Sequence, residues 1–246
     1  MDEADLKHLG SYSAQWWDVN GPFKPLHLMN NVRVPLIRDG LISTGLVEEQ
    51  NINKPDVLKG INILEVGCGA GILTEALGRL RANVTGLDPS EELIEAARNH
   101  LNGQSLNNVE YVCNVIEEHA INNVEKYDAV IASEVVEHVP DQKSFLHECT
   151  KCLKTNGSIF VTTFNKTQAS WLAGIVVAEY ILNLVPKGTH DWNQFISPSE
   201  VTKILSEQNC NTVLVHGLCY NILDGSFSFK KYDGINYALQ AVKNDS

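Results

Sequence analysis

Residues 61–80 read Ile61-Asn62-Ile63-Leu64-Glu65-Val66-Gly67-Cys68-Gly69-Ala70-Gly71, followed by ILTEALGRL. A short apolar run ends on three alternate glycines, and apolar residues at helical spacing begin at Ile72. Glycines at such a strand-to-helix turn let the backbone bend sharply and approach a ligand without a side chain in the way. The next run, NVTGLD, ends at Asp88, about 20 residues after the loop begins, where an acidic side chain can take ribose hydroxyls. A dinucleotide fingerprint needs GxGxxG. Here Ile72 stands where its last glycine would be, and the loop reads GxGxG after the acidic Glu65. Hydride transfer is disfavoured on that ground.

The rhythm continues outward from this loop. ELIEAARNHL has helical spacing, VEYVC and YDAVIAS read as strands, SFLHECTKCL as a helix and GSIFVTTF as a strand. Strands alternating with helices of about ten residues indicate an α/β fold with a mostly parallel sheet and helices on both faces. A helix, SEVTKILSEQ, begins near Ser199. The late strands TVLVHGL and INYALQAV, joined by a turn-rich stretch, are expected to pair antiparallel at the sheet edge. Residues 1–58 read as an N-terminal helical cap anchored by Trp16, Trp17 and Phe23 and broken locally by Pro22 and Pro25. Residues 59–246 then form the main domain, with an apolar insert at 166–198.

The 246 residues carry 30 acidic side chains against 19 Lys and Arg, a net charge of −11. Phosphate neutralisation needs a basic face, so nucleic acid is excluded as a partner. The hydrophobic content of 43% supports a packed core. The six cysteines are scattered through a chain too large to need disulfides, which points to a reducing compartment. Cys149 and Cys152 form a CxxC, but the surrounding helical spacing makes them core residues. The first ten residues, MDEADLKHLG, resemble neither a secretory signal nor a transit peptide.

A second cluster follows the strand YDAVIAS: Ser133-Glu134-Val135-Val136-Glu137-His138. In one helical turn, 134, 137 and 138 stand at i, i+3 and i+4 and share a face. Two carboxylates and an imidazole so placed can hold a divalent cation, and the carboxyl end of a sheet strand is where open α/β sheets bind ligands. Spacing alone equally allows solvated glutamates and a turn-capping histidine.

The glycine loop with Glu65 and Asp88 resembles motif I of the class I S-adenosylmethionine-dependent methyltransferases. That likeness implies a Rossmann-like, seven-stranded sheet with an antiparallel edge hairpin. Gly67, Gly69 and Gly71 would line the methionine and ribose of the cofactor, and Asp88 would take the ribose. Such enzymes often carry an Asp after the third strand for the adenine amine; Asn114 or Val115 occupies that region here.

Four further segments, SAQWWDVNGPFKPLHLMNNVRVPLI, SEVVEHVPD, VPKGTHDWNQFISP and INYALQAVK, resemble the ubiquinone-biosynthesis O-methyltransferases, with likeness from about Tyr12 to Val242. The resemblance implies methylation of a catechol hydroxyl on polyprenyl-dihydroxybenzoate and on demethylubiquinol. It implies that Arg33 meets the cofactor carboxylate, that Ser133 completes the cofactor site, and that Glu134, Glu137 and His138 bind magnesium. His138 or Glu134 would take the phenol proton, with His190 as a further base candidate. It also implies a peripheral place on the matrix side of the mitochondrial inner membrane, with a presequence absent from this stretch, or at the bacterial inner membrane, within a multi-subunit ubiquinone-synthesis complex.

Within the insert, Ala169–Val185 is apolar apart from Glu179 and a few small or polar residues, and lies at the short limit for a membrane span. It reads as a helix at the membrane interface, or a lid opening to lipid, or a buried core helix. If buried, a soluble small-molecule methyltransferase of the same fold is favoured. A non-enzymatic, cofactor-binding scaffold subunit would have no need of the acidic cluster.

Overall fold

The structure is a computed structural model describing residues 15–167, 194–221, 225–231 and 234–245. Eight strands form one sheet: β1 (Asn62–Val66), β2 (Asn83–Asp88), β3 (Val109–Cys113), β4 (Tyr127–Ser133), β5 (Leu153–Phe164), β6 (Cys210–Asn221), β7 (Ser226–Lys230) and β8 (Asn236–Lys243). Their order is β3-β2-β1-β4-β5-β8-β6-β7. The first five are parallel; β8 runs antiparallel to β5 and β6, and β7 antiparallel to β6. The expected seven strands are therefore eight among the described residues. The turn-rich stretch between the two late strands contributes β7, whose SFSFK alternates polar and aromatic residues as an edge strand does.

The helices are α1 (Lys24–Ser43), α2 (Ile72–Arg79), α3 (Glu91–Asn102), α4 (Ile116–Ile121), α5 (Gln142–Cys152) and α6 (Pro198–Ser206). Pro25 opens α1 within its first two positions, where a missing N–H costs nothing, so it starts the cap helix rather than breaking it. Ser90 caps α3 by accepting from the Leu93 N–H, and Ser197 with Glu200 forms a capping box on α6.

Alternate residues of the strands face opposite layers. Ile63, Val84, Ala129, Ile131, Phe160 and Ala238 pack with Leu36, Ile37 and Leu41 of α1 and Leu73 and Leu77 of α2. Their neighbours Leu64, Leu87, Val130, Ala132, Ile159, Val161 and Leu239 pack against α4, α5 and α6 through Ile116, Phe145, Leu146, Val201 and Leu205. Both sheet faces are thus covered, as expected for nearly continuous apolar strands. The CxxC is part of this core. Cys149 and Cys152 are buried on α5, and burial pushes the Cys149 thiol well above its ordinary value and that of Cys152 to about 11.

The carboxyl ends of β1, β2, β4 and β5 converge on one edge of the sheet, where the connections reverse between β1 and β4. The sequence-derived insert, from 168 to 193, with the Ala169–Val185 segment and His190, lies outside the described residues.

Candidate functional site

The glycine loop leaves β1 at Val66 and enters α2 at Ile72. Gly67, Gly69 and Gly71 all take left-handed conformations, with φ of 72°, 55° and 88°. Space as well as φ demands glycine at Gly71, where an added Cβ would lie 2.0 Å from the Tyr111 hydroxyl oxygen. Asp88, 2% exposed at the end of β2, braces the loop. Its Oδ2 accepts the Gly69 N–H at 2.9 Å and its Oδ1 the Ser90 N–H at 2.9 Å. Each carboxylate oxygen retains a second lone pair, so the site of a ribose contact is kept while the loop is held. Asn114, just past β3, donates its backbone N–H to Asp88 O at 3.1 Å, which places the candidate adenine contact beside the acid.

The cap segment packs directly on this loop. Trp17 Nε1 donates to Ala70 O at 3.1 Å, and Asn30 Nδ2 to Ile72 O at 3.0 Å. Trp16 stacks on Phe23 at 4.1 Å, and its ring comes within 2.7 Å of where a Gly69 Cβ would be. The two tryptophans are anchors, as the sequence suggests. What they anchor to is the cofactor-type loop itself.

Arg33, on α1 and 5% exposed, reaches over β4. Its Nη1 donates to Ser133 Oγ at 3.0 Å, its Nη2 to Leu26 O at 3.0 Å, and its Nε and Nη2 to Asn30 Oδ1 at 3.1 and 2.7 Å. A guanidinium has five N–H groups, so one Nη1 hydrogen is left without a partner among the described residues. Burial lowers the guanidinium's pKa, and the carboxylates of Glu65 and Glu134 oppose that. Glu65, the acid that opens the motif, is buried and accepts from the Thr74 hydroxyl. Desolvation pushes it up to about 7 against that hydrogen bond and the pull of Arg33.

The acidic cluster departs from the helical expectation. Glu134 has a φ of 58°, off any helix, and only Val136–His138 forms a 3-10 turn. A non-glycine residue in the left-handed region costs about 1 kcal/mol, and here the Glu134 N–H is fixed to Thr162 O at 2.8 Å. Positions 134, 137 and 138 therefore do not share a helix face. Instead the two acids are held by consecutive threonines at the end of β5: Thr162 Oγ1 donates to Glu134 Oε1 at 2.7 Å, and Thr163 Oγ1 to Glu137 Oε2 at 2.7 Å. Consecutive strand residues point to opposite faces, so the acids approach the end of β5 from its two sides. Among the described residues, no three His, Cys, Asp or Glu side chains gather into a group able to hold a metal.

Both carboxyls are pushed up to about 7, Glu134 by desolvation and then by Glu137, and Glu137 by desolvation. Glu137 Oε1 is buried with no hydrogen-bond partner. An unpaired buried carboxyl oxygen is a place that a proton or a cation can fill, and Glu137 offers it alone rather than as part of a gathered ligand group. The threonines went unnoticed in the sequence. Their signal was the TT pair at the carboxyl end of GSIFVTTF, where an apolar strand turns polar on reaching the ligand edge.

A family model described as a methyltransferase domain matches residues 64–161. The ubiquinone biosynthesis O-methyltransferase of Pelagibacter ubique is 37% identical over 244 residues, 99% of this chain and 99% of that protein. This chain belongs to the ubiquinone biosynthesis O-methyltransferase family. The bovine member, named as mitochondrial, is 43% identical over 246 residues, and the chain spans 65% of its length. In this family member the glycine loop, Asp88, Arg33 and Ser133 stand around one edge of the sheet. The fold is that of class I S-adenosylmethionine-dependent methyltransferases. Magnesium protoporphyrin IX methyltransferase from Synechocystis with bound cofactor superposes with a TM-score of 0.62 at 18% identity, covering 99% of this chain and 98% of that one.

Proposed function

We propose that this chain transfers a methyl group from S-adenosylmethionine to a catechol oxygen of a polyprenylated ring, acting on polyprenyl-dihydroxybenzoate and on demethylubiquinol. The observation that carries the reading is the linkage of Glu134 through Thr162 to Ser133 and Arg33 at the edge where the glycine loop leaves the sheet. It puts a raised carboxyl next to a cofactor-type cradle. The names of the relatives supply the substrate class.

Methyl transfer joins a nucleophilic oxygen to the sulfonium methyl carbon as the carbon–sulfur bond breaks, giving a methyl ether and S-adenosylhomocysteine. A phenol has a pKa near ~10, so it must lose its proton to attack well at neutral pH. A base works best when its own pKa lies near the working pH. Glu134, at about 7, meets that condition, with His138 as the second candidate. Gly67, Gly69 and Gly71 provide close backbone approach to the methionine and ribose, Asp88 takes the ribose hydroxyls, and the spare Nη1 hydrogen of Arg33 takes the cofactor carboxylate in charge-assisted form. Magnesium would require Glu134, Glu137 and His138, which are not gathered here, to close around it, and would then lower the pKa of a chelated catechol. Glu137 Oε1 is the atom most in need of that cation.

The apolar segment 169–185 supports docking to a membrane surface, where a polyprenyl tail can be presented. The mitochondrial names of the mammalian relatives support a mitochondrial location and the bacterial relatives a bacterial one; within either, the proposed place is the inner membrane, on the matrix side in mitochondria, in a multi-subunit ubiquinone-synthesis complex. No described helix is long and apolar enough to cross a membrane.

The test is methyl transfer from S-adenosylmethionine to a short-tailed dihydroxybenzoate and to a demethylubiquinol analogue, with magnesium, with a chelator, and with Glu137→Ala. Turnover on both rings that needs the metal and Glu137 is expected. Turnover indifferent to the chelator removes the metal from the reading, and cofactor binding without turnover removes the substrate class.

A further inference from the structure

Thr162 stands opposite Ser133 in the register of β4 and β5, and its hydroxyl oxygen lies 2.8 Å from Ser133 Oγ and 2.7 Å from Glu134 Oε1. A hydroxyl has one hydrogen, and that of Thr162 goes to Glu134. The hydrogen between Ser133 and Thr162 therefore belongs to Ser133. With its hydrogen spent there, Ser133 accepts from Arg33 Nη1 at 3.0 Å. With Glu134 ionised, the run Arg33 to Ser133 to Thr162 to Glu134 is polarised in one direction, from a cation to a carboxylate. Arg33, Ser133 and Thr162 are 5%, 8% and 4% exposed, so water cannot readily substitute for a missing link.

We propose that Thr162 is a positioning residue for the cofactor. It fixes the orientation of the Ser133 hydroxyl, and through Ser133 it aligns the Arg33 guanidinium for the carboxylate of S-adenosylmethionine while tying that end of the site to Glu134. The proposal rests on the cofactor reading above. A valine at 162 would suit a buried strand in shape and propensity, so the strand pairing itself does not call for the hydroxyl. Without it, Ser133 loses its acceptor and is free to turn its hydrogen elsewhere, and Arg33 loses a directed partner.

The experiment is titration calorimetry of S-adenosylhomocysteine into the full chain, wild type and variants, with no turnover required. Thr162→Val is expected to weaken binding about 3- to 10-fold, and Ser133→Ala by a similar factor. The double variant should bind within about 2-fold of Ser133→Ala, because Thr162 acts through Ser133. Thr162→Ser, which keeps the hydroxyl, should restore wild-type affinity within about 2-fold. Wild-type affinity in Thr162→Val, additive losses in the double variant, or no rescue by serine overturns the positioning role alone. A wild-type chain that binds no S-adenosylhomocysteine overturns the cofactor reading and this proposal together. Should Thr162→Val fail to fold, Thr162→Cys, of similar volume and a weak donor, takes its place with the same expectations.

Discussion

Arg33 Nη1 lies 3.0 Å from Ser133 Oγ, joining residues 100 positions apart in the chain. The contact brings the cap helix α1 onto the carboxyl end of β4. It makes a cation from outside the sheet part of a site otherwise built from strand ends. The guanidinium keeps one Nη1 hydrogen unspent and has the carboxyls of Glu65 and Glu134 as its charged neighbours.

Arg33→Met is expected to weaken S-adenosylmethionine binding by about 10-fold or more, the scale of one charge-assisted hydrogen bond. Arg33→Lys should recover part of this, because an ammonium keeps the charge but cannot serve Asn30, Leu26 and Ser133 with a fixed fork. Calorimetry with the cofactor checks both, and unchanged affinity in Arg33→Met would remove the arginine from the site.

Asp88→Asn is expected to disturb the loop even without ligand. One carboxylate oxygen becomes an NH2 group facing either the Gly69 or the Ser90 N–H. A buried donor set against a donor costs about 1–3 kcal/mol. Denaturant unfolding of the ligand-free protein should show that loss, together with weaker cofactor binding. Full stability would mean that the loop does not depend on its acid.

Glu137→Gln separates the fold from the cation. The amide oxygen can still accept from Thr163, and the amide NH2 takes the place of a buried oxygen without a partner, exchanging one unpaired group for another that carries no charge at high pH. Stability should stay within about 1 kcal/mol of wild type or rise. Wild-type protein should gain thermal stability with millimolar magnesium and lose that gain to a chelator, as binding to the native state requires. The gain should be absent in Glu137→Gln, and an identical magnesium response in the two proteins would exclude Glu137 as a ligand.

Stability of the ligand-free protein should fall as pH rises. Burial holds Glu65 at about 7, above its ordinary 4.5. A carboxyl raised in the folded state favours folding while protonated, so its contribution is complete below the ordinary value and is lost as pH passes through about 7. For Glu65 the full effect is roughly 3 kcal/mol, and Glu134 and Glu137 act in the same direction. His119, whose pKa burial lowers, opposes this at the acid end. The thermal midpoint should decline from about pH 6 to about pH 8, and Glu65→Gln should flatten the slope. A midpoint that rises over that interval would contradict the burial of these acids.

The five parallel strands, the glycine turn and its acid were legible in the residues themselves, because each is written in the spacing of near neighbours, whereas the edge strand β7 was not. A short apolar run, a helical period and three glycines in left-handed positions are local facts, and local propensity and tertiary packing agree there. The sequence missed α4, whose six residues are too few to show a period. It also read the acidic cluster as one helical turn, since spacing cannot register the left-handed backbone at Glu134. Tertiary structure alone decided that Arg33 meets Ser133, that Thr162 and Thr163 divide the two glutamates between them, and that Trp16 lies on Gly69. These contacts depend on β1 lying beside β4, on β4 and β5 being in register, and on the cap folding back over the loop. Such pairings follow from strand order and burial across the whole chain, which no window of the sequence contains.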